Sequence, residues 1–341
     1  MSSIVDVARE AKVALSTVSL VYSSPSRVSE STRRKVEEAS LRLGYRPRNA
    51  RQSPRMHLAV VYSKAMAGHS GHGSMFEYCR QWIAGVRNLL DAQGTDISVC
   101  PVEDNIADDP MFQRSLDERD FTGLLTLGIH EEHGHVEAAV ARGVPTVCVN
   151  RLSPTGDFST VTVDYRGMGV LASRRLLSAG HRVIAHGFAQ NARPLVENLR
   201  KGIIDEVLAA GLPRPLELPG VEGYDDLEGF RRMARFVRDA GVTACIMGDP
   251  SASRMSEALA AEGMDVPKDV SLVGIDALNY RTPLGKRITS IGYNAKVMGE
   301  TCTQILQQLI ASHGEIRQMT ATINVRLVEG ETVEAPPKQP N

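Results

Sequence analysis

Apolar residues fall into two rhythms along this chain. Over the first 45 residues they recur at helical spacing. Ile4, Val7, Ala8 and Ala11 stand at i, i+3, i+4 and i+7, with Ser3 placed to cap the first turn. After a break at Lys12-Val13, a second short helix turns Val18 and Val21 inward. Ser29 opens a third, whose apolar face is Val36, Ala39, Ser40 and Leu43 and whose stop is Gly44 in a left-handed turn. Small Ala8 lets the first two helices approach closely and steeply, as in a helix-turn-helix. The second helix is then free to enter a DNA major groove.

From His57 the rhythm changes. Short apolar runs predict buried strands at 57–62, 97–101, 123–127, 145–149, 160–163, 182–188, 244–247 and 270–275. Helical patterns alternate with them, near 76–93, 167–179, 193–210, 227–240 and 251–262. Strand-helix repetition at this spacing predicts parallel sheets with helices on both faces, and its restart after Asn150-Arg151-Leu152-Ser153-Pro154 predicts two α/β lobes. Residues 46–57, polar and basic with Pro47 and Pro54, read as a linker. The expected domains are therefore 1–56 (helical head and short hinge), 57–332 (two-lobed body) and 333–341 (tail).

Charge sharpens this division. The 341 residues carry a formal net charge of -1, but residues 1–55 hold 11 Lys/Arg against 5 Asp/Glu, leaving 28 against 35 in the remainder. A basic head on an acidic body suits a nucleic-acid contact at one end. No apolar signal core opens the chain and no run approaches the roughly 18–20 apolar residues of a membrane span, so the expected location is the cytoplasm. Cys79, Cys100, Cys148, Cys245 and Cys302 are widely spaced with no Cys-x-x-Cys pair, and are expected to be reduced and structural.

The head resembles the DNA-binding headpiece of the LacI/GalR (lactose-repressor) family of bacterial transcriptional regulators. Asp6-Val7-Ala8-Arg9-Glu10-Ala11, Ser16-Thr17-Val18-Ser19, Val28-Ser29-Glu30-Ser31-Thr32-Arg33 and Leu43-Gly44-Tyr45-Arg46-Pro47 carry the likeness. The body resembles the family's periplasmic-binding-protein-like (type I) effector domain through Val163-Asp164-Tyr165, 178–185, 266–276 and Ile288-Thr289-Ser290-Ile291. The resemblance implies a DNA-binding regulator, commonly a repressor, controlled by a sugar-like or related small effector held between the lobes. It implies a homodimer, with a tetramer as the larger assembly, and no cofactor, metal or membrane partner. It also implies three crossings between lobes, near Asn150–Pro154, Asp276–Leu284 and Gly314–Thr320.

Carried over residue by residue, base edges would meet Leu15, Ser16 and Leu20. Leu20 stands where the family usually has arginine, and thymine-methyl contact and headpiece packing are equal readings of it. Ser3, Thr17, Ser19, Arg27, Ser29, Thr32 and Arg33 suit phosphate contacts, and Tyr45 completes the DNA-facing set. Three departures bear on the head. Lys12 replaces a turn glycine and is expected to take positive φ, Ala14 replaces a capping serine, and Pro54 limits the hinge to about one helical turn. In the cleft, Asp276 matches an aspartate that accepts effector hydroxyls. Ser63, Asn150, Arg151, Tyr224, Asp249 and Tyr293 fall at expected wall positions. Leu199 occupies the family's effector-arginine position, so Arg193 or Arg200 is the substitute, and Gly248 stands where asparagine is common.

Rival chemistries have weaker hooks. Gly167-x-Gly169-x-x-Ala172 loosely matches a dinucleotide turn, but no acid stands about 20 residues on to hold a ribose. Nucleophile elbow, P-loop and His-Glu-x-x-His are absent from the sequence, so no enzyme activity is expected. His69 with His72, and His130 with His133 and His135, read as loop residues rather than metal ligands. A small-solute receptor without productive DNA recognition is the alternative function.

Overall fold

The structure, a computed structural model, describes residues 3–23, 28–43, 57–63, 73–90, 95–129, 133–188, 194–277 and 279–337. The expectations for Arg27, Gly44, Tyr45, the hinge, His69, His72, His130 and Arg193 lie outside those residues. The chain forms two compact units, one taking in Met1–His57 with Gly94–Asp96 and the other Leu58–Gln93 with Ile97–Asn341.

The first unit holds α1 (Ile4–Glu10), α2 (Leu15–Ser23) and α3 (Glu30–Leu43). Ser3 and Asp6 form a reciprocal capping box. The Asp6 N–H donates to Ser3 Oγ at 3.3 Å and the Ser3 N–H to Asp6 Oδ2 at 2.8 Å. The Ser3 hydroxyl, which also donates to Asp6 Oδ2, and then the Ser3 N–H hold the Asp6 carboxyl below its ordinary range. Lys12 takes φ 54° between α1 and α2, the strained geometry expected where glycine is missing. Val7, Ala8, Ala11, Val18, Val21, Val36 and Ala39 form one small core.

The second unit contains two sheets. The first uses β1 (His57–Ser63), β2 (Asp96–Val102), β3 (Gly123–Leu127), β4 (Thr146–Val149), β5 (Ser159–Val163) and β11 (Thr320–Ile323), in the order β11-β5-β4-β3-β1-β2. The second uses β6 (Ile184–His186), β7 (Leu216–Glu217), β8 (Ala244–Gly248), β9 (Ser271–Asp276), β10 (Thr289–Gly292) and β12 (Arg326–Val328), in the order β12-β10-β9-β8-β6-β7. Each lobe thus repeats one doubly wound order. β12 runs antiparallel to β10, and the other described pairings are parallel. The helices are α4 (Gly73–Leu90), α5 (Pro110–Glu118), α6 (His135–Ala141), α7 (Tyr165–Ser178), α8 (Pro194–Ala209), α9 (Leu227–Asp239), α10 (Asp249–Ala261) and α11 (Ala295–Ala311).

The crossings fall later than expected in every case. β4 and β5 share the first sheet, so Asn150–Pro154 stays within one lobe. The chain crosses at Val163-Asp164, where β5 gives way to α7 packed on the second sheet. It returns at Tyr293-Asn294, ahead of α11, which packs on β3, β4 and β5, and crosses last at Asn324-Val325 between β11 and β12.

Glycine sets two helix contacts. A Cβ on Gly169 of α7 would lie 2.2 Å from the Leu199 carbonyl oxygen of α8, and one on Gly202 of α8 would lie 2.2 Å from the Arg166 oxygen. Gly85 of α4 and Gly299 of α11 make the matching contact in the first lobe, with backbone atoms 2.0 and 2.1 Å from their built Cβ positions. Gly169 is thus a helix-packing residue, while Gly167 leaves room for Asp164, which caps α7 by accepting the Gly167 N–H at 2.8 Å.

Candidate functional site: a DNA-facing helix and an inter-lobe cleft

On α2 the inward positions are Val18 and Val21, both buried. Leu15, 48 % exposed, Ser16 and Ser19 lie on the open side, with Thr17 and Leu20 half-buried. An exposed leucine at the start of a helix flanked by hydroxyls fits a groove edge better than a core. At the start of α3, Ser29 Oγ accepts the Thr32 N–H at 3.3 Å and shares a 2.8 Å hydrogen bond with the Thr32 hydroxyl. Arg33, Arg34 and Lys35 follow, all exposed, so this helix start presents cations beside its positive end. Ser3 is committed to its capping box, with its hydroxyl donating to Asp6 at 2.7 Å.

Asp276 stands at the carboxyl end of β9, within electrostatic reach of groups from both lobes. Burial pushes its carboxyl up to about 6. Its charge in turn acts on Tyr78 from α4 in the first lobe and on Tyr224 and Tyr293 in the second. Burial, first of all, raises the phenols of all three. Tyr78 and Tyr293 meet edge to face with ring centroids 6.0 Å apart, and the Tyr78 hydroxyl donates to Met298 Sδ at 3.5 Å. Tyr165 lies near enough to Tyr293 to influence it. Tyr165 and Tyr293 flank two of the three crossings, so this aromatic wall stands beside the segments that join the lobes. Tyr78 was not singled out in the sequence, and Tyr165 entered only as part of the Val163-Asp164-Tyr165 motif. Tyr78 follows β1 on the next helix, a signal of place alone.

Several expected wall residues have other employment. Ser63 is buried at the end of β1 and donates to Asp104 Oδ1 at 2.8 Å. Asn150 takes φ 53° and accepts the Thr162 hydroxyl at 3.3 Å. Arg151 is buried within the first lobe, pairs with Glu137 and lies 5.2 Å over the Phe158 ring. Asp249 is 0 % exposed and accepts the Ser290 hydroxyl at 2.6 Å. Through Ser290, which accepts the Ala277 N–H at 3.0 Å, it is linked to the turn that follows Asp276. Arg200 is buried and donates to Glu197 at 3.1 Å. His133 and His135, expected in a solvated segment, are buried. His135 packs 5.0 Å from Phe112, and burial holds its imidazole below the ordinary value.

No helix among the described residues is long and apolar enough to cross a membrane. The model of bacterial regulatory proteins of the lacI family matches residues 3–48, and that of the periplasmic binding protein-like domain matches residues 173–333. The HTH-type transcriptional repressor PurR of Yersinia pestis (strain Pestoides F) is 26% identical over 346 aligned positions, covering 98% of this chain and 97% of that one. The transcriptional regulator CelR in complex with cellobiose shares the fold with a TM-score of 0.68 at 24% identity, over 98% of this chain and all of the other. The lac repressor dimer bound to operator and the anti-inducer ONPF does so with a TM-score of 0.66 at 22% identity, over 98% and 99%. A helix-turn-helix region that matches the lacI family of bacterial regulatory proteins, followed by a body that matches the periplasmic binding protein-like domain, makes this chain similar to lacI-type regulators along almost its whole length.

Proposed function

We propose that this chain is a cytoplasmic, homodimeric transcriptional repressor whose hold on operator DNA is set by a small, hydroxyl-bearing effector closed between its lobes. The observation that carries the effector reading is the Asp276 carboxylate among tyrosines drawn from both lobes. Its two oxygens accept adjacent hydroxyls, and the phenol rings cover the apolar face of a sugar-like molecule. A ligand that contacts Tyr78 from one lobe and Asp276 from the other favours the closed arrangement by its differential affinity. The relatives supply the chemical precedent, since their structures carry cellobiose in CelR and ribose in a LacI-family regulator from Enterococcus faecium.

On DNA, Leu15, Ser16 and Leu20 meet base edges, while Thr17, Ser19, Thr32, Arg33 and the Ser29 amide meet phosphates. Two heads on a dimer read half-sites in successive major grooves. The effector reading is tested by thermal shift of the full chain with cellobiose, ribose, other sugars, sugar acids and nucleosides. A stabilising compound whose effect is lost in Asp276→Ala supports it, and stabilisation that survives this substitution refutes the site.

A further inference from the structure

The turn that presents Asp276 has a backbone its own residues disfavour. Asp276, Ala277 and Asn279 take φ of 92°, 47° and 63°, and none is glycine. Such a turn persists only where its surroundings hold it. A buried relay does so here. The Ala277 N–H donates to Ser290 Oγ at 3.0 Å, and the Ser290 hydroxyl donates onward to Asp249 Oδ1 at 2.6 Å. Asp249 is 0 % exposed and Ser290 2 %, so water does not compete for either bond.

The neighbouring strands are shaped to admit this relay. A Cβ on Gly274 of β9 would stand 1.9 Å from Asp249 Oδ1, and one on Gly292 of β10 would stand 2.0 Å from the Ala277 Cβ. Both strands forgo a side chain, one to seat the carboxylate and the other to let the turn fold back. Asp249 also opens α10, where the free N–H groups of the helix start favour a negative charge. Two carboxylates therefore lie in series with different tasks. Asp276 faces the cleft, and Asp249 anchors the turn from behind.

We propose that Asp249 and Ser290 are positioning residues for effector binding. Through the Ala277 amide they hold the strained turn that aims the Asp276 carboxylate, and so they set effector affinity without touching the effector. The proposal rests on the reading of Asp276 as the effector-binding acid. A purely structural role for the pair would lower the stability of the lobe but leave the turn and its ligand contacts unchanged in the folded protein.

Hydrogen exchange on the full chain separates these roles, using wild type, Ser290→Ala, and Ser290→Ala combined with Ala277→Gly. With Ser290→Ala, amides of residues 276–280 are expected to exchange at least about tenfold faster while those of β8 and α10 keep their rates. Adding Ala277→Gly should restore most of the protection, because glycine takes the left-handed geometry without the clash that the relay offsets. Asp249→Asn, which keeps an acceptor but not its charge, should fall between, and it serves if Ser290→Ala does not fold. Any sugar that stabilises the wild type, with cellobiose and ribose as first probes, should bind Ser290→Ala at least tenfold more weakly and the double variant nearly normally. Unchanged exchange at 276–280 overturns the proposal, as does faster exchange spread through the lobe without rescue by glycine. Sugar binding that survives Asp276→Ala would instead sink the site reading and leave the clamp itself standing.

Discussion

Asp276→Asn should make the ligand-free protein more stable while weakening its response to effector. A carboxyl raised by burial from an ordinary 3.8 to about 6 is one whose charge the fold disfavours. At neutral pH the full penalty corresponds to about 3 kcal/mol, reduced to about 2 kcal/mol because the residue is partly exposed. For a body of this size that is roughly 5 °C in Tm. The folded pKa lies above the unfolded one, so the protonated acid stabilises the fold fully below 3.8, and this contribution is lost as pH rises through about 6. The advantage of asparagine is accordingly largest at pH 7.5, about half as large at pH 5, and gone below 3.8. Asparagine also accepts positive φ more readily than aspartate, but that gain does not vary with pH, so the pH dependence is the diagnostic part. The single tryptophan, Trp82, is fully buried on α4, and its fluorescence reports unfolding of the body. A Tm difference that is constant from pH 5 to pH 8, or an asparagine variant less stable than wild type at pH 7.5, would refute this account of the cleft.

Three further outcomes follow from particular residues. Gly169→Ala forces a Cβ to within 2.2 Å of the Leu199 oxygen and should cost about 2–3 kcal/mol, read as a lower Tm, whereas Gly220→Ala, with nothing within 4 Å, should be neutral. Equal Tm values for both would show that Gly169 does not set the α7–α8 contact. Lys12→Gly relieves a left-handed residue that costs about 1–2 kcal/mol, partly offset by the chain entropy of glycine. Amides of α1 and α2 should exchange up to about fivefold more slowly, and faster exchange would contradict the strain at that turn. Leu20→Arg should move operator preference toward guanine by about 1–3 kcal/mol in a binding-site selection, and an unchanged preference would show that position 20 does not face the bases.

The headpiece was legible because its determinants are local. Helical spacing, Ser3 with Asp6 and the missing turn glycine at Lys12 all act within a few residues, and the structure carries each of them. The two lobes were legible from buried strand runs. Their crossings, placed by the family resemblance, fall later in the chain, and the first expected one, Asn150–Pro154, joins two strands of one sheet. The true crossings at Asp164 and Asn294 look like ordinary helix caps, which they also are. Asp276 could be picked from its strand-end context. Asp249 stands in a similar context, but its hydrogen-bond partner Ser290 lies 41 residues away and its room is made by Gly274. Only tertiary packing reveals that it turns inward. The contacts of Arg151 are likewise tertiary, since Glu137 and Phe158 meet it within the first lobe.

The account stands most directly on whether ligand and DNA compete for the state of one chain. Footprinting of the full-length protein on the promoter region of its own gene, at low salt and with or without a compound that raises its Tm, measures this. The expected result is a roughly symmetric protected site whose occupancy changes at least tenfold with the compound in wild type and not in Asp276→Ala. Absence of a symmetric footprint, or occupancy indifferent to a bound ligand, would contradict effector-controlled DNA binding.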